Sequence, residues 1–261
     1  MRINEIFSYK SGQKGNKMLL DNSFPRETGY VKDNNIPLVI VGGTVEYHGA
    51  HCSYGCDTLI AEGLVKRVAE RKEIMIAPTI SYSPSSYAVG GRESGTVHVE
   101  ERAFENYVYY VFKSLLYSGY RNIYVVIHHQ FEDECEMPMT LCYRMAAKRA
   151  TMEYLEQTLG EGWWGSESYS SYYEQLEGAN NPFNWIKVIP TMSTAVQHAT
   201  GYDHAGKYET SLLMALYPDC VDLSRIDDIK HWFTESARGA SVALGTEMME
   251  KSVEYLTEAI K

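Results

Sequence analysis

The densest group of residues able to do chemistry lies between Gly43 and Asp57. Glu46 and His48 stand close together there, His51 follows, and Asp57 comes shortly after. The imidazole of His48 and the carboxylates of Glu46 and Asp57 form a ligand set that suits zinc or manganese. A carboxylate such as Asp57 can bridge two ions, which can then share one hydroxide and polarise a substrate oxygen. The alternative interpretation is a surface turn followed by an Asp that caps a helix.

The elements around this group predict how it is positioned. The apolar run 37–43 is bounded by Pro and Gly, which is typical of a strand buried on both faces. Sites in parallel sheets form at the carboxyl ends of strands, and Glu46 and His48 follow such an end. Residues 57–72 have apolar side chains at helical spacing, with Asp57 at the expected N-cap.

Strand and helix patterns alternate along the rest of the chain. Further strands are predicted at 73–77, 122–127 and 186–190, and further helices at 99–116, 136–159, 208–217 and 237–260. This alternation predicts an α/β fold with a mainly parallel sheet. Gly and Pro break the pattern in residues 1–36, so residues 1–35 are expected to be an irregular arm. The Gly-, Ser-, Tyr- and Trp-rich segment 160–185 is expected to be an insertion or lid on a single domain over residues 1–261.

Composition excludes several classes of protein. A net charge of -10 with no basic stripe argues against a nucleic-acid partner. No apolar run is long enough for a transmembrane helix, and the first residues lack the apolar centre of a signal peptide, so we expect a cytoplasmic protein without a membrane partner. The 5 cysteines give no disulfide framework, and Cys52 and Cys56 lack the second pair of a structural zinc site. The Gly-x-Ser-x-Gly elbow of α/β esterases is absent.

The segment from Gly43 to His51, followed by Asp57 and Thr58, resembles the leading motif of the creatininase (creatinine amidohydrolase) family. That motif is Gly-(Ser/Thr)-x-Glu-x-His-Gly-x-His, with an Asp nine residues after the first His and then a Thr. Three further segments agree in order, and the last of them, residues 215–222, reads like the family's continuation. Residues 94–97 resemble the family's Gly-Thr loop, and residues 204–211 match its His-Ala-Gly-x-x-Glu-Thr-Ser motif.

The resemblance runs from about residue 36 past residue 222 and leaves out residues 1–35 and 160–185. It implies a three-layer α/β/α sandwich, usually assembled as a hexamer, and a small-molecule substrate. It also implies two divalent ions, zinc and/or manganese, with Glu46, His48 and Asp57 as ligands and Asp57 as the bridge.

The sequence departs from the family after the strand at 122–127. The family has Asn-Gly-His there, followed by Gly-Gly-Asn or Tyr-Glu-Asn, whereas this chain has His128, His129, Gln130, Phe131 and Glu132. An ungapped fit makes Gln130 a ligand and Glu132 a ligand and catalytic group. A slip of one residue makes His129 the ligand and misplaces Glu132. Gln130 would be a weaker, neutral ligand, and both alternatives stay open. His128 is expected to donate its ring N–H to a carboxylate.

Other site residues follow from the matched motifs. His204 is the candidate general acid, because the pKa of a histidine lies near neutrality. Glu209 is a candidate ligand, although a carboxylate at a helix start is also favoured by the helix dipole alone. His51 is expected to support the ligands. The candidates for substrate contact are Thr96, His98 and Tyr87.

The expected reaction is the attack of a metal-bound hydroxide on a trigonal carbon of a small cyclic molecule. The altered motif at 128–132 is similar to the branch that acts on oxidised inositols, which implies a cyclic ketone of inositol catabolism, like 3-dehydro-scyllo-inosose. One alternative is a cyclic amide such as creatinine. Another is a non-catalytic relative that only binds a ligand.

Overall fold

The computed structural model describes residues 18–129, 131–132, 135–175 and 181–261, and for residues 131, 132 and 175 it describes the backbone alone. Within this part of the chain, five strands form one sheet whose neighbouring strands are all parallel. In sheet order they are β1 (Met18–Leu19), β3 (Met75–Ile76), β2 (Leu38–Gly42), β4 (Ile123–Ile127) and β7 (Ile186–Pro190). Separately, β5 (Phe131–Glu132) pairs with β6 (Cys135–Glu136) in antiparallel fashion.

The central strands β2 and β4 are buried along their whole length. Because side chains alternate between the faces of a strand, Leu38 and Ile40 join one apolar cluster while Val39 and Val41 join another. A sheet with two apolar faces requires a layer of helices on each side.

Helices supply both layers. In the described residues they are α1 (Pro25–Asp33), α2 (Cys56–Val68), α3 (Glu101–Tyr117), α4 (Pro138–Leu159), α5 (Thr194–Thr200), α6 (Lys207–Leu216) and α7 (Val242–Ala259). α3 and α4 pack on one face of the sheet, and α2, α6 and α7 pack on the other. This arrangement confirms the predicted α/β fold with three layers. None of the described helices has the length and apolar character needed to cross a membrane.

The structure corrects the prediction for the N-terminal segment and adds detail to the predicted insertion at 160–185. Residues 18–33 are not irregular, because β1 pairs with β3 at the sheet edge and α1 follows. The described part of residues 160–185 consists of short 3-10 helices. Within it, the buried ring of Trp163 packs edge-on against Tyr169 at 4.9 Å. The role of this segment as a lid stays a prediction.

Candidate metal centre

Glu46 and His48 lie in the loop that leaves the carboxyl end of β2. A side chain at Gly43 would place its Cβ 2.2 Å from Thr58 Oγ1, so the end of the strand runs directly against the first turn of α2. Thr58 Oγ1 also donates to the carbonyl of Thr44 at 2.9 Å. This close approach brings the loop that carries Glu46 and His48 beside the first turn of α2.

The sequence predicted that Asp57 would be the N-cap of α2, but the structure places it within the helix. The helix begins at Cys56 after Gly55, because the Cys56 N–H donates to the Ser53 carbonyl and closes a turn one step earlier. Asp57 therefore lies inside the first turn. Its carboxylate is buried and approaches imidazoles from two other segments, so it is a member of the cluster described next.

The first half of the cluster consists of Glu46, Asp57 and His129, which are 3%, 2% and 4% exposed. His129 is the second residue after the end of β4. Its Nδ1 lies 3.2 Å from Glu46 Oε2 and 3.3 Å from Asp57 Oδ2. These distances suit ion pairs, yet neither oxygen accepts a hydrogen bond of acceptable geometry. The three side chains can each offer one ligand atom, and those atoms lie within 4.8 Å of one another.

The second half is formed around His48, whose Nε2 lies 3.6 Å from Asp57 Oδ1 and 3.5 Å from Glu209 Oε2. Glu209 stands in the first turn of α6. Its Oε2 accepts the Ala205 N–H at 2.6 Å, and its Oε1 is 3.1 Å from His128 Nε2. Ala205 has a positive φ of 51°, an uncommon conformation for a residue with a side chain, and it directs this N–H at the carboxylate.

His128 connects this half to the neighbouring strand. Its Nδ1 lies 2.8 Å from Thr191 Oγ1, directly after β7, while its Nε2 faces Glu209. An imidazole between a hydroxyl and a carboxylate fixes the orientation of the carboxylate. The ring lies within reach of Glu209 and also belongs to a possible ligand group with Asp57 and Glu209, so the supporting role expected for His128 from the sequence stays a prediction.

Charge balance in the cluster shifts the pKa of its members in opposite directions. Burial would lower the pKa of His129, but the carboxylates of Asp57 and Glu46 outweigh it and raise that pKa to about 10. For His48, burial is likewise outweighed by Asp57 and Glu209, which raise its pKa well above the ordinary value. Burial would raise the pKa of Asp57, but His48 and His129 hold it well below its ordinary value.

The pKa of Glu209 is set by the same two opposing effects. Burial would raise the pKa of its carboxyl, whereas His48 and His128 lower it to about 2. The carboxylates of Asp57 and Glu209 are therefore charged at neutral pH, and the protons that balance them sit on the buried imidazoles of His48 and His129. A cation of higher charge could replace those protons.

Several buried atoms in the cluster have no hydrogen-bond partner among the described residues. They are Glu46 Oε2, His48 Nε2, Asp57 Oδ2 and His129 Nε2. Leaving one buried polar group unsatisfied costs about 1–3 kcal/mol, and more when it is charged. Four such atoms on oxygen and imidazole ligands indicate a site shaped for divalent cations rather than a satisfied polar core.

His204 lies at the rim of the cluster and is half-buried. Its ring packs against His48 at a tilt of 35°, with centroids 4.3 Å apart, and its Nε2 lies 3.2 Å from the carbonyl oxygen of Tyr47. One of its ring nitrogens is within 4.8 Å of ligand atoms of Glu46 and His48. The position suits a group that exchanges a proton with a substrate bound above the cluster.

The other predicted residues lie around this centre. His51 is buried, and its Nε2 contacts Thr210 Oγ1 at 3.0 Å, next to Glu209 in α6. Thr96 Oγ1 accepts the N–H of Tyr47 at 3.1 Å and so supports the loop that carries Glu46 and His48.

The remaining candidates are less closely connected to the cluster. His98 accepts the Ser86 N–H at 3.1 Å, and its ring meets Tyr87 at 5.4 Å, so both belong to contacts inside the 83–98 loop. Gln130 lies outside the described residues, and Glu132 is described only by its backbone in β5.

Four residues at the centre were not expected from the sequence. Thr191 follows the end of β7, and the rule that sites form at strand ends could have found it. Tyr47 lies inside the leading motif. His231 and Phe233 belong to no motif of the sequence, although His231 contacts Tyr47 and Phe233 contacts His204 in space.

Comparison with known proteins places the chain in a family. A family model described as creatinine amidohydrolase matches residues 26–260. A creatinine amidohydrolase from Pseudomonas putida is 26% identical over 198 residues, which cover 73% of this chain and 68% of that protein.

Solved structures show the same fold. A manganese form of creatininase has a TM-score of 0.71 at 21% identity, covering 94% of this chain and 97% of the other. A creatininase point mutant of the Zn–Zn type has a TM-score of 0.72 at 21% identity, covering 94% and 98%. The family match spans most of the sequence and includes the buried cluster. The chain therefore belongs to the creatininase family of hydrolases.

Proposed function

We propose that this protein is a divalent-metal-dependent hydrolase that opens a small cyclic substrate at a carbonyl carbon. The observation that carries the proposal is the buried cluster of carboxylates and imidazoles at the carboxyl end of the sheet, several of whose ligand atoms have no hydrogen-bond partner among the described residues. A purely structural role would leave these buried atoms hydrogen-bonded. Family membership supports hydrolysis as the type of reaction.

The residues present fit two ions that share one carboxylate. Glu46, Asp57 and His129 would hold one ion, and His48, Asp57 and Glu209 would hold the other. This arrangement favours His129 over Gln130 as the ligand that follows β4. Mixed carboxylate and imidazole ligands suit zinc and manganese, the metals of the two similar creatininase structures. When bound, such a pair of ions lowers the pKa of a water and polarises a substrate oxygen.

The protein's own residues would handle the proton. Because a carbonyl oxygen only accepts, His204 donates its Nε2–H to Tyr47 and keeps Nδ1 free to carry the exchangeable proton. A protonated His204 can deliver that proton to the leaving atom once the carbonyl carbon has been attacked. His128 and the Ala205 N–H hold Glu209 in place during this step.

For the substrate, we propose a cyclic polyol ketone of the 3-dehydro-scyllo-inosose kind, as in inositol catabolism. Its hydrolysis breaks a carbon–carbon bond and leaves an enolate, which His204 could protonate. The support is the sequence at 128–132, which departs from the creatininase pattern. The second candidate is a cyclic amide, where His204 would protonate the leaving nitrogen; the creatinine amidohydrolase relative favours it.

The test combines metal removal with a substrate screen. The enzyme is treated with a chelator, dialysed and reloaded with zinc or manganese, and turnover is measured on cyclic polyol ketones and on cyclic ureides and lactams. We expect activity to disappear on chelation and to return with metal. Full activity after exhaustive chelation would refute the metal-dependent mechanism. A metal-loaded protein inactive on every substrate would instead favour a non-catalytic, ligand-binding relative.

We also propose that the chain forms a homo-oligomer, the hexamer implied by the family resemblance. An exposed apolar stripe along α4 supports this, since Leu141, Met145 and Met152 are 51%, 62% and 38% exposed. Light scattering coupled to gel filtration tests the proposal. A wild-type monomer at micromolar concentration would contradict it, and Met145→Lys should weaken the assembly.

A further inference from the structure

We propose that Phe233 and His231 are positioning residues that hold His204 in the orientation needed for proton transfer. The inference rests on the proposed function for the role of His204, but the geometry behind it is independent of the substrate. The two residues lie in and beside the 3-10 helix Trp232–Gly239, far along the chain from Glu46 and His48. Neither belongs to a motif found in the sequence.

Two neighbouring rings hold the ring of His204: His48 packs against it at 4.3 Å with a tilt of 35°, and Phe233 meets it edge-on at 5.5 Å. His48 fixes the ring relative to the metal ligands. Phe233 restricts rotation of the ring, so that Nε2 keeps its 3.2 Å contact with the Tyr47 carbonyl.

Phe233 is itself held in place by His231. Its ring is stacked on His231 at 4.7 Å, with an interplanar angle of only 12°. The Nε2 of His231 lies 3.2 Å from the hydroxyl of Tyr47. Tyr47 thus contacts His204 through its backbone carbonyl and His231 through its side chain. Tyr47, His204, Phe233 and His231 form a closed ring of contacts, which we call the histidine clamp.

The 3-10 helix anchors the histidine clamp to the rest of the site. Thr234 is 2% exposed, and its Oγ1 donates to the carbonyl of His231 at 3.0 Å. Gly49 has a φ of 72°, and a Cβ at this position would lie 2.8 Å from Thr234 Cγ2. The Lys207 N–H donates to Ser236 Oγ at 3.0 Å. The 3-10 helix is therefore fixed to the loop after β2 and to the first turn of α6, which both carry proposed ligands.

A clamp of this kind controls which nitrogen of His204 carries its proton. With Nε2–H donated to Tyr47, the neutral ring has its lone pair on Nδ1. A rotated ring would lose that donor contact and mix the two tautomers. General acid–base catalysis contributes about 10²–10⁴-fold in rate, so partial misplacement should cost about 10- to 100-fold in kcat.

The test compares Phe233→Leu with Phe233→Tyr and Phe24→Leu. Phe233→Leu removes the ring and should lower kcat about 10- to 100-fold, with KM and metal content unchanged. Phe233→Tyr keeps the ring and should retain activity. Phe24→Leu is the matched control, because it makes the same substitution at a phenylalanine that is 73% exposed, and its kcat should equal that of the wild type. A loss of metal, or an effect on KM alone, would overturn the positioning role.

A second measurement does not depend on turnover. Nitrogen-15 NMR of histidine-labelled protein, with the signals of His204 assigned from their absence in His204→Asn, reports its tautomer. We expect Nε2–H in the wild type and a mixture in Phe233→Leu. Tyr47→Phe, which removes only the hydroxyl that contacts His231, should show a smaller change and serves if Phe233→Leu does not fold. An unchanged tautomer in the folded variants would overturn the proposal even if no substrate is found.

Discussion

Replacing His129 by Asn tests the arrangement of the candidate metal centre most sharply. His129 Nδ1 lies 3.2 Å from Glu46 Oε2 and 3.3 Å from Asp57 Oδ2. At an effective dielectric constant of about 20, each such ion pair is worth about 5 kcal/mol before the cost of burying the charges. Burial costs several kcal/mol per ion and offsets most of this gain.

The variant should nevertheless be strongly destabilised without metal. Removing one partner of a buried ion pair costs about 3–5 kcal/mol, because the remaining charges stay buried and uncompensated. In His129→Asn the carboxylates of Glu46 and Asp57 lose the imidazolium between them. We therefore expect the free energy of unfolding of the chelated protein to fall by about 3–5 kcal/mol, measured by urea denaturation at neutral pH.

Metal binding gives the second readout of the same variant. Loss of a residue that only supports a ligand weakens metal binding about 10- to 100-fold, so loss of a ligand should exceed that range. Metal analysis after dialysis should find one ion per chain in His129→Asn and two in the wild type. The matched control is Gln130→Ala, which should keep both ions. If Gln130→Ala loses an ion and His129→Asn keeps two, the reasoning about which residue follows β4 into the site is wrong.

Further predictions follow from the charge balance of the cluster. The pKa of His129 is raised to about 10 and that of His48 well above its ordinary value, so both imidazoles are protonated near neutral pH. Because an imidazole must be neutral to bind a metal, metal binding should release protons from both. Calorimetry in buffers of different ionisation enthalpy measures this release, and a binding enthalpy independent of the buffer would contradict it. A raised pKa in the folded state means that protonated His129 stabilises the metal-free protein below about pH 6.5 and that this contribution disappears as pH rises towards about 10. The difference in unfolding free energy between the wild type and His129→Asn should therefore shrink over that interval, and a constant difference would refute the ion pairing. Thr191→Val removes the hydroxyl that lies 2.8 Å from His128 Nδ1. It should weaken metal binding about 10- to 100-fold, measured by metal titration, while circular dichroism shows an intact fold. Unchanged metal affinity would show that His128 does not position Glu209.

Much of the fold could be predicted from local patterns, because buried strands and helices have distinct apolar spacing. The strand predicted at 186–190 is observed as Ile186–Pro190, and the one at 122–127 as Ile123–Ile127. Residues 18–33 were wrongly expected to be irregular, since the pairing of β1 with β3 joins segments distant in sequence. The first turn of α2 also begins before Asp57, because the turn at Ser53 to Cys56 nucleates it.

The residues of the site likewise include some whose proximity the sequence could predict and others for which it could not. Glu46, His48 and Asp57 share one short motif, so their proximity could be inferred from the chain itself. Thr191 could have been found from its place directly after β7, but His231 and Phe233 come near the cluster only because a distant 3-10 helix packs beside it. No spacing in the sequence encodes such contacts, and they become visible only once the layers are assembled.

The measurement that tests the central claim most directly is an anomalous difference map from crystals of the protein reconstituted with zinc or manganese. Data collected on either side of the absorption edge of the metal identify the ions without reference to activity. The account predicts two peaks on either side of the Asp57 carboxylate, one near Glu46 and His129 and one near His48 and Glu209. Crystals of active enzyme with no peak among these side chains would contradict it.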